Sequence, residues 1–182
     1  MTFPNHSELI QIRRMLSKDV SEVTAIDRLS FSLPWSENAF YYELNENLNS
    51  AQWVAEATDQ NRGQHIVGVI VVWLIVDEAH ISTLAVHPDY RRRGIARQLM
   101  ITGLAEGVRR GARLATLEVR AGNVAAQILY RDFKFEVVGR RPRYYVDNGE
   151  DALIMSAWPI NQGYINDLVN SKSKPVSMKE VS

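Results

Sequence analysis

Leu84-Ala85-Val86-His87-Pro88-Asp89-Tyr90-Arg91-Arg92-Arg93-Gly94-Ile95-Ala96-Arg97 reads as the end of a strand, a short basic loop and the opening of a helix. Pro88 closes the strand because proline has no amide proton to give to a ladder. The first turn of a helix carries unpaired N–H groups and a partial positive charge, so it can hold a phosphate. Gly94 lets the backbone come close to such a ligand, small Ala96 leaves the first turn uncrowded, and Arg92, Arg93 and Arg97 add positive charge beside it. The same residues also fit an arginine-rich, solvated loop ahead of an ordinary helix. A nucleic-acid patch is a third reading, disfavoured by four arginines in a chain with no excess of positive charge.

Outward from this stretch, strands and helices alternate. Ile66 to Val76 (IVGVIVVWLIV) is the most apolar run and suits a strand over 65–76 buried on both faces. Asp77-Glu78 connects it to a strand over 79–86. Earlier, 9–15 reads as a short strand, and Asp19 with Glu22 predicts a capped helix presenting Val20, Val23, Ile26 and Leu29. Pro34 interrupts any helix, Ser36 can cap a new one through Phe40 and Leu44, and 52–57 is a strand with a polar link over 58–63. Later, Ile95, Leu99, Thr102 and Ala105 recur at helical spacing, and Gly111 supplies the stop. Gly103 and Gly107 inside that helix cost about 1 kcal/mol each relative to alanine unless close packing requires them. A strand over 114–119, a helix over 124–133 and paired strands over 135–140 and 153–158, joined by a loop over 142–150, complete the pattern. The fold class is α/β (α+β), a mixed sheet covered by helices.

The 182 residues form one domain's worth of chain, 46% hydrophobic and 23% charged, with 21 basic residues cancelling 21 acidic ones. That balance disfavours a dedicated nucleic-acid binder. The absence of cysteine excludes a thiol nucleophile, a disulfide framework and a cysteine-ligated metal, and it fits the cytoplasm. Met1 to Leu9 lacks the pattern of a signal peptide, and the apolar run falls short of the roughly 20 residues that span a bilayer. His6, His65, His80 and His87 show no metal-ligand spacing, so no metal site is expected. His80 lies on the strand leading to the basic loop and reads as a strand residue that could approach a cleft.

A second stretch, Leu117-Glu118-Val119-Arg120-Ala121-Gly122-Asn123-Val124-Ala125-Ala126-Gln127-Ile128-Leu129-Tyr130, places Glu118 near the end of a strand, Asn123 at a helix cap and Tyr130 about two turns into that helix. On residues alone Glu118 pairs with a surface arginine and Tyr130 is a core aromatic.

Together the two stretches resemble the GCN5-related N-acetyltransferase (GNAT) family. Its acetyl-CoA motif, Arg/Gln-x-x-Gly-x-Gly/Ala, is met by Arg91, Gly94 and Ala96. Its Asn-x-x-Ala-x-x-Leu-Tyr pattern is met by Asn123, Ala126, Leu129 and Tyr130. The likeness spans roughly residues 10–158. Within the family, Phe31-x-x-Pro34-Trp35-Ser36, Leu117 to Asn123, and Arg143-Tyr144-Tyr145 with Glu150 to Met155 are most similar to enzymes that acetylate the N-terminal alanine of a small-subunit ribosomal protein. Lys134-Phe135 departs from the family's Gly-Phe, and Asp27 and Ser30 stand where relatives often have Glu and Cys.

The resemblance implies a mixed, mostly antiparallel twisted sheet of six to seven strands with helices on both faces. It implies one domain over 1–159. Residues 160–182, polar, Ser/Lys-rich and with little periodicity, read as a mobile tail. The resemblance also implies that the strands at 79–86 and 114–119 splay apart. Pantetheine of acetyl-CoA would then pair with the backbone of Leu84, Ala85 and Val86. The diphosphate would sit on the amides of Arg92, Arg93, Gly94, Ile95, Ala96 and Arg97, with Arg91 and Asn123 also touching the cofactor. By the same resemblance Glu118 is the base that deprotonates the acceptor amine, and Tyr130 gives a proton or hydrogen bond to the leaving thiolate. Phe31, Pro34, Trp35, Tyr144 and Tyr145 would wall the peptide groove. The partners implied are acetyl-CoA and a protein N-terminus, with neither nucleic acid nor membrane. A lysine side chain or small amine as acceptor, and a non-catalytic acetyl-CoA-binding module, are the alternatives.

Overall fold

The computed structural model describes residues 9–59 and 63–171. The chain runs β1 (Leu9–Arg14), α1 (Val20–Ser30), α2 (Glu37–Asn45), β2 (Ser50–Asp59), β3 (Gly63–Ile75), β4 (Glu78–Val86), α3 (Ile95–Arg109), β5 (Leu114–Arg120), α4 (Val124–Asp132), β6 (Glu136–Tyr145), β7 (Glu150–Ala157) and α5 (Gln162–Asn170). Seven strands form one sheet in the order β1-β2-β3-β4-β5-β7-β6. Every neighbouring pair is antiparallel except β4 and β5, which α3 connects. This is the mixed sheet with helices on both faces that the sequence implied.

Both faces of β3 are buried, as its run rich in Val and Ile predicts. Val67, Ile70 and Val72 pack with Leu99, Met100 and Leu104 of α3. Ile66, Val69 and Val71 pack with Val20, Val23 and Ile26 of α1 and Phe40 of α2. The two glycines inside α3 have a packing reason. A Cβ on Gly103 would lie 2.9 Å from Ile70 and Val72 side chains, and one on Gly107 would lie 2.8 Å from the Ala79 Cβ. The helix backbone therefore rests directly on the sheet.

Several local expectations are corrected. Asp19 does not cap α1; its carboxylate accepts from the Leu16 amide at 2.8 Å and pairs with Arg13 at 2.7 Å. Glu22 instead accepts from the Ile66 amide at 2.9 Å, tying α1 to β3. Leu29 is exposed, and the polar Asp27 is buried in its place. The β6–β7 hairpin extends further than expected, with Tyr145 opposite Glu150, so only 146–149 form the turn.

The mobile tail expected from residue 160 is also corrected, because 162–170 form α5. Asn161 caps it by accepting from the Tyr164 amide at 2.9 Å, and Ile165 and Leu168 enter the core beside Ile160. Two buried positions in a polar stretch carry too little periodicity to be read as a helix. Residues 172–182 lie outside the described residues, as do 60–62 of the polar link.

Lys134 sits at φ 58, the left-handed conformation in which a glycine is unstrained. Lys134→Gly is therefore expected to stabilise the chain by about 1 kcal/mol, read as a higher urea midpoint at unchanged slope. Glu106 of α3 is buried and bonded to Arg109 at 2.8 Å and Arg14 at 2.7 Å. The Arg109 hydrogen bond leads in holding its carboxyl down at about 2. A carboxyl whose folded value lies below its unfolded value of about 4.3 stabilises the fold above that value and loses the contribution as pH falls toward 2. Acid unfolding curves of Glu106→Gln should lack this component, while the wild type shows it between about pH 4.3 and 2.

Candidate active site

β4 and β5 stay paired for only three residues, from Glu78 opposite Leu114 to His80 opposite Thr116. Beyond His80, Ser82 is an extra residue in the β3–β4 ladder, with Ile81 facing Val72 and Thr83 facing Val71. Such a bulge bends its strand and ends pairing on the far side. The two strands part there and open a cleft of about 570 Å³ in the middle of the sheet. It is lined by Ile81 to Leu84 on one side and Leu117 to Arg120 on the other.

Alternation along β5 divides the cleft's chemistry between the two faces of the sheet. Ala115, Leu117 and Val119 join the core on the α3 side, where Tyr130 of α4 also lies. Thr116 and Glu118 point the other way, toward His80 and Trp73. The Glu118 carboxylate is held at both oxygens: Oε2 lies 3.3 Å from His80 Nε2, and Oε1 lies 3.2 Å from an Arg141 guanidinium nitrogen. Burial pushes the Tyr130 phenol up to about 12, so it keeps its proton at neutral pH. Asn123 caps α4 by accepting from the Ala126 amide at 3.1 Å, and it also lines the cleft.

The walls come from two loops. Asp27 accepts from the Trp35 amide at 2.7 Å and from the Thr83 hydroxyl at 3.4 Å, which fixes the segment after α1 against β4. Trp35 stacks on Trp73 with centroids 6.2 Å apart. Opposite, Tyr144 and Tyr145 stand at the end of β6. Burial raises the Tyr145 phenol above its ordinary range. Arg120 joins the two walls: its guanidinium lies over Tyr145 at 3.8 Å and binds Asp147 at 2.9 Å, Glu150 at 3.1 Å and Ser32 at 2.8 Å.

Of the residues selected from sequence, Phe31, Trp35, Leu84, Glu118, Asn123, Tyr130, Tyr144 and Tyr145 line this one cleft. Pro34 is exposed outside it, and Ala85 and Val86 are buried in the two cores. Residues 91–97 lie past the end of β4, where the chain turns into α3. Arg92 at φ 65 and Gly94 at φ 78 are both left-handed, and a Cβ on Gly94 would meet nothing within 4 Å. No side chain caps this end of α3, which leaves the amides of Ile95, Ala96 and Arg97 without partners inside the helix.

The arginine side chains there mostly serve the fold. Arg91 donates to the Val86 carbonyl at 3.1 Å. Arg93 donates to the Asp89 carbonyl at 3.3 Å and covers Tyr90. Arg97 donates to the Leu168 carbonyl at 2.7 Å and the Ser171 carbonyl at 3.1 Å, neutralising the C-terminal end of α5. Ile95 is buried and packs with the core of α3.

Sequence reasoning did not select His80, Trp73 or Arg141 for the site. Strand alternation puts Glu78 and His80 on one face of β4, and Thr116 and Glu118 on one face of β5. Only the β4–β5 register, absent from the sequence, brings the two sets together. Among the described residues no cluster of three or more His, Asp or Glu could hold a metal ion, and no helix is long and apolar enough to cross a membrane.

Residues 20–135 match the model of the acetyltransferase (GNAT) family. The chain is 37% identical over 144 residues to a Bacillus subtilis protein provisionally named ribosomal protein bS18-alanine N-acetyltransferase, covering 79% of this chain and 92% of that one. It is 32% identical over 152 residues to the Escherichia coli K12 ribosomal protein bS18-alanine N-acetyltransferase, covering 82% and 97%. The crystal structure of the ribosomal-protein-S18-alanine N-acetyltransferase from Escherichia coli superimposes with a TM-score of 0.72 at 31% identity, covering 85% of this chain and 96% of that one.

Proposed function

The chain belongs to the acetyltransferase (GNAT) family, and on that premise we propose that it moves the acetyl group of acetyl-CoA to the α-amine of a protein N-terminus, the N-terminal alanine of ribosomal protein bS18. A ribosomal acceptor puts the reaction in the cytoplasm. The observation that carries this reading is the parting of β4 and β5 beside an uncapped, glycine-opened helix. One end of the slot suits a diphosphate, and the unpaired strand edges suit the amides of an extended pantetheine chain. The thioester would then lie between Glu118 on one face of the sheet and Tyr130 on the other.

In this mechanism Leu84, Ala85 and Val86 offer backbone groups to pantetheine, and an N–H near Val86 polarises the thioester carbonyl. The turn from Arg92 through Gly94 to Arg97 presents its amides to the diphosphate, and Asn123 touches the cofactor. Phe31, Trp35, Tyr144 and Tyr145 guide the peptide toward Glu118.

Glu118 takes one proton from the acceptor ammonium. An α-amine, with its ordinary value of about 7.7–8.0, needs little help at neutral pH, whereas a lysine at about 10.4 needs far more. The amine nitrogen bonds to the carbonyl carbon, the C–S bond breaks, and the second nitrogen-bound proton leaves as the amide forms. Tyr130 hydrogen-bonds the departing sulfur. Full transfer from a phenol held at about 12 to a thiolate of about 8.5 is uphill, so the proton that ends on sulfur comes ultimately from the acceptor nitrogen.

Mass spectrometry after incubation with acetyl-CoA tests the reading on three acceptors: a peptide with the bS18 N-terminus, the same peptide blocked at its α-amine with an internal lysine, and small amines. Acetylation of the first alone is expected. Modification of lysine or of small amines instead would replace the proposed acceptor, and no transfer to any would leave a binding module.

A further inference from the structure

Among the residues lining the cleft is His80, a titratable side chain with no part in the mechanism above, whose ring is fixed on three sides. Its Nδ1 lies 2.9 Å from the Thr116 hydroxyl oxygen. Thr116 donates its single hydroxyl proton to Glu78, so the bond to His80 has to use a proton on Nδ1. The ring face stacks on Trp73 with centroids 5.7 Å apart and planes at 25°. Trp73 is itself held by its indole N–H donating to the buried Glu43 at 2.9 Å. With Nδ1 committed to a proton, Nε2 is the nitrogen that gains or loses one, and it faces Glu118 Oε2 at 3.3 Å.

We infer that His80 is a positioning and relay residue: it receives from Glu118 the proton taken from the acceptor ammonium and passes it on, so that Glu118 is restored as a base within the turnover. This rests on the reading of Glu118 as the base. The balance is simple. The acceptor R–NH3⁺ gives one proton to the Glu118 carboxylate, and that proton moves to His80 Nε2. The imidazolium so formed sits between Glu118, Glu78 and the face of Trp73. Glu118 is again ionised, and His80 releases the proton to water on its exposed side. Arg141 of β6 holds the other Glu118 oxygen, so the carboxylate turns Oε2 toward His80 throughout. The charged and titratable groups around the ring are therefore Glu78 from its own strand, Glu118 from β5, Arg141 and Tyr145 from β6 and, behind Trp73, Glu43 from α2.

The test compares His80→Ala, His80→Gln and Thr116→Val with the parent enzyme, using the bS18 N-terminal peptide and acetyl-CoA between about pH 6 and 9. His80→Ala is expected to lower kcat by about 10-fold or more with the KM for acetyl-CoA unchanged, and to lose one ionisation from the ascending limb of the pH profile. Added imidazole should restore part of the His80→Ala rate in proportion to its unprotonated fraction. His80→Gln should resemble His80→Ala without rescue. Thr116→Val, which keeps the side-chain volume and removes the partner of Nδ1, should lose several-fold in kcat and serves if His80→Ala does not fold.

Unchanged rates across the pH range would overturn the inference. So would a loss that imidazole does not relieve and that appears as a raised KM for the peptide. Glu118→Gln measured alongside separates the two claims. Full activity there removes the base, whereas an inactive Glu118→Gln beside a fully active His80→Ala removes the relay alone.

Discussion

Glu118→Gln should lower turnover at neutral pH by about two to four orders of magnitude, the range a positioned general base contributes, with acetyl-CoA affinity nearly intact. Glutamine keeps the shape that Arg141 and His80 pack against and removes the negative charge and a proton-accepting oxygen. The deficit should also depend on pH. Above about pH 8 an α-amine is largely unprotonated without assistance, so the variant should recover toward the parent rate. Rates of both enzymes from neutral pH upward, with the peptide saturating, check this. An unchanged rate at neutral pH would remove Glu118 as base, and a deficit constant at all pH values would make its role electrostatic.

Gly107→Val should destabilise the fold by about 3 kcal/mol or more, although glycine is among the poorest helix formers. Removing a mid-helix glycine would add about 1 kcal/mol of stability if space allowed. It does not: the first side-chain carbon alone would sit 2.8 Å from the Ala79 Cβ. The remaining methyl groups have to push α3 off the sheet. Ala79 belongs to the three-residue stretch where β4 still pairs with β5, just before the cleft opens. Displacement there should weaken activity in whatever fraction stays folded. Urea denaturation of Gly107→Val and Gly107→Ala gives the comparison, and a midpoint at or above that of the parent would contradict the close approach.

Much of this architecture could be read from residue order. The Val and Ile run of β3 announced burial on two faces, and Pro88 and Gly94 marked the end of β4 and the start of α3. Ser36 caps α2 as its position suggests, accepting from the Ala39 amide at 3.2 Å. Local chemistry failed where a distant partner outbid it. Asp19 had a neighbouring arginine to bind instead of a helix end, and Glu22 had the Ile66 amide on another strand. α5 was missed because its stability comes from docking Ile165 and Leu168 and from Tyr164 donating to the Phe133 carbonyl at 2.6 Å, contacts made across the fold.

The site divides the same way. Glu118 and Tyr130 were visible as members of a family motif, and the uncapped α3 start as a glycine among arginines. The surroundings of Glu118 were not, because they depend on pairing register. A shift of one residue between β4 and β5 would turn His80 away from Thr116 and leave Glu118 with a different neighbour. The arginines illustrate the converse, since in sequence they read as positive charge beside the helix amides. In the fold, Arg91, Arg93 and Arg97 donate to the chain's own carbonyls.

The central claim is that the gap between β4 and β5, with the glycine-opened end of α3, receives coenzyme A. Calorimetric titration of the chain with acetyl-CoA at two temperatures measures this most directly, since burial of apolar surface gives a heat-capacity change even where the heat itself is small. One site per chain is predicted, with affinity lost in a Gly94→Val variant, whose left-handed backbone no β-branched residue adopts without strain. No heat at either temperature, or equal affinity in the Gly94 variant, would contradict the account.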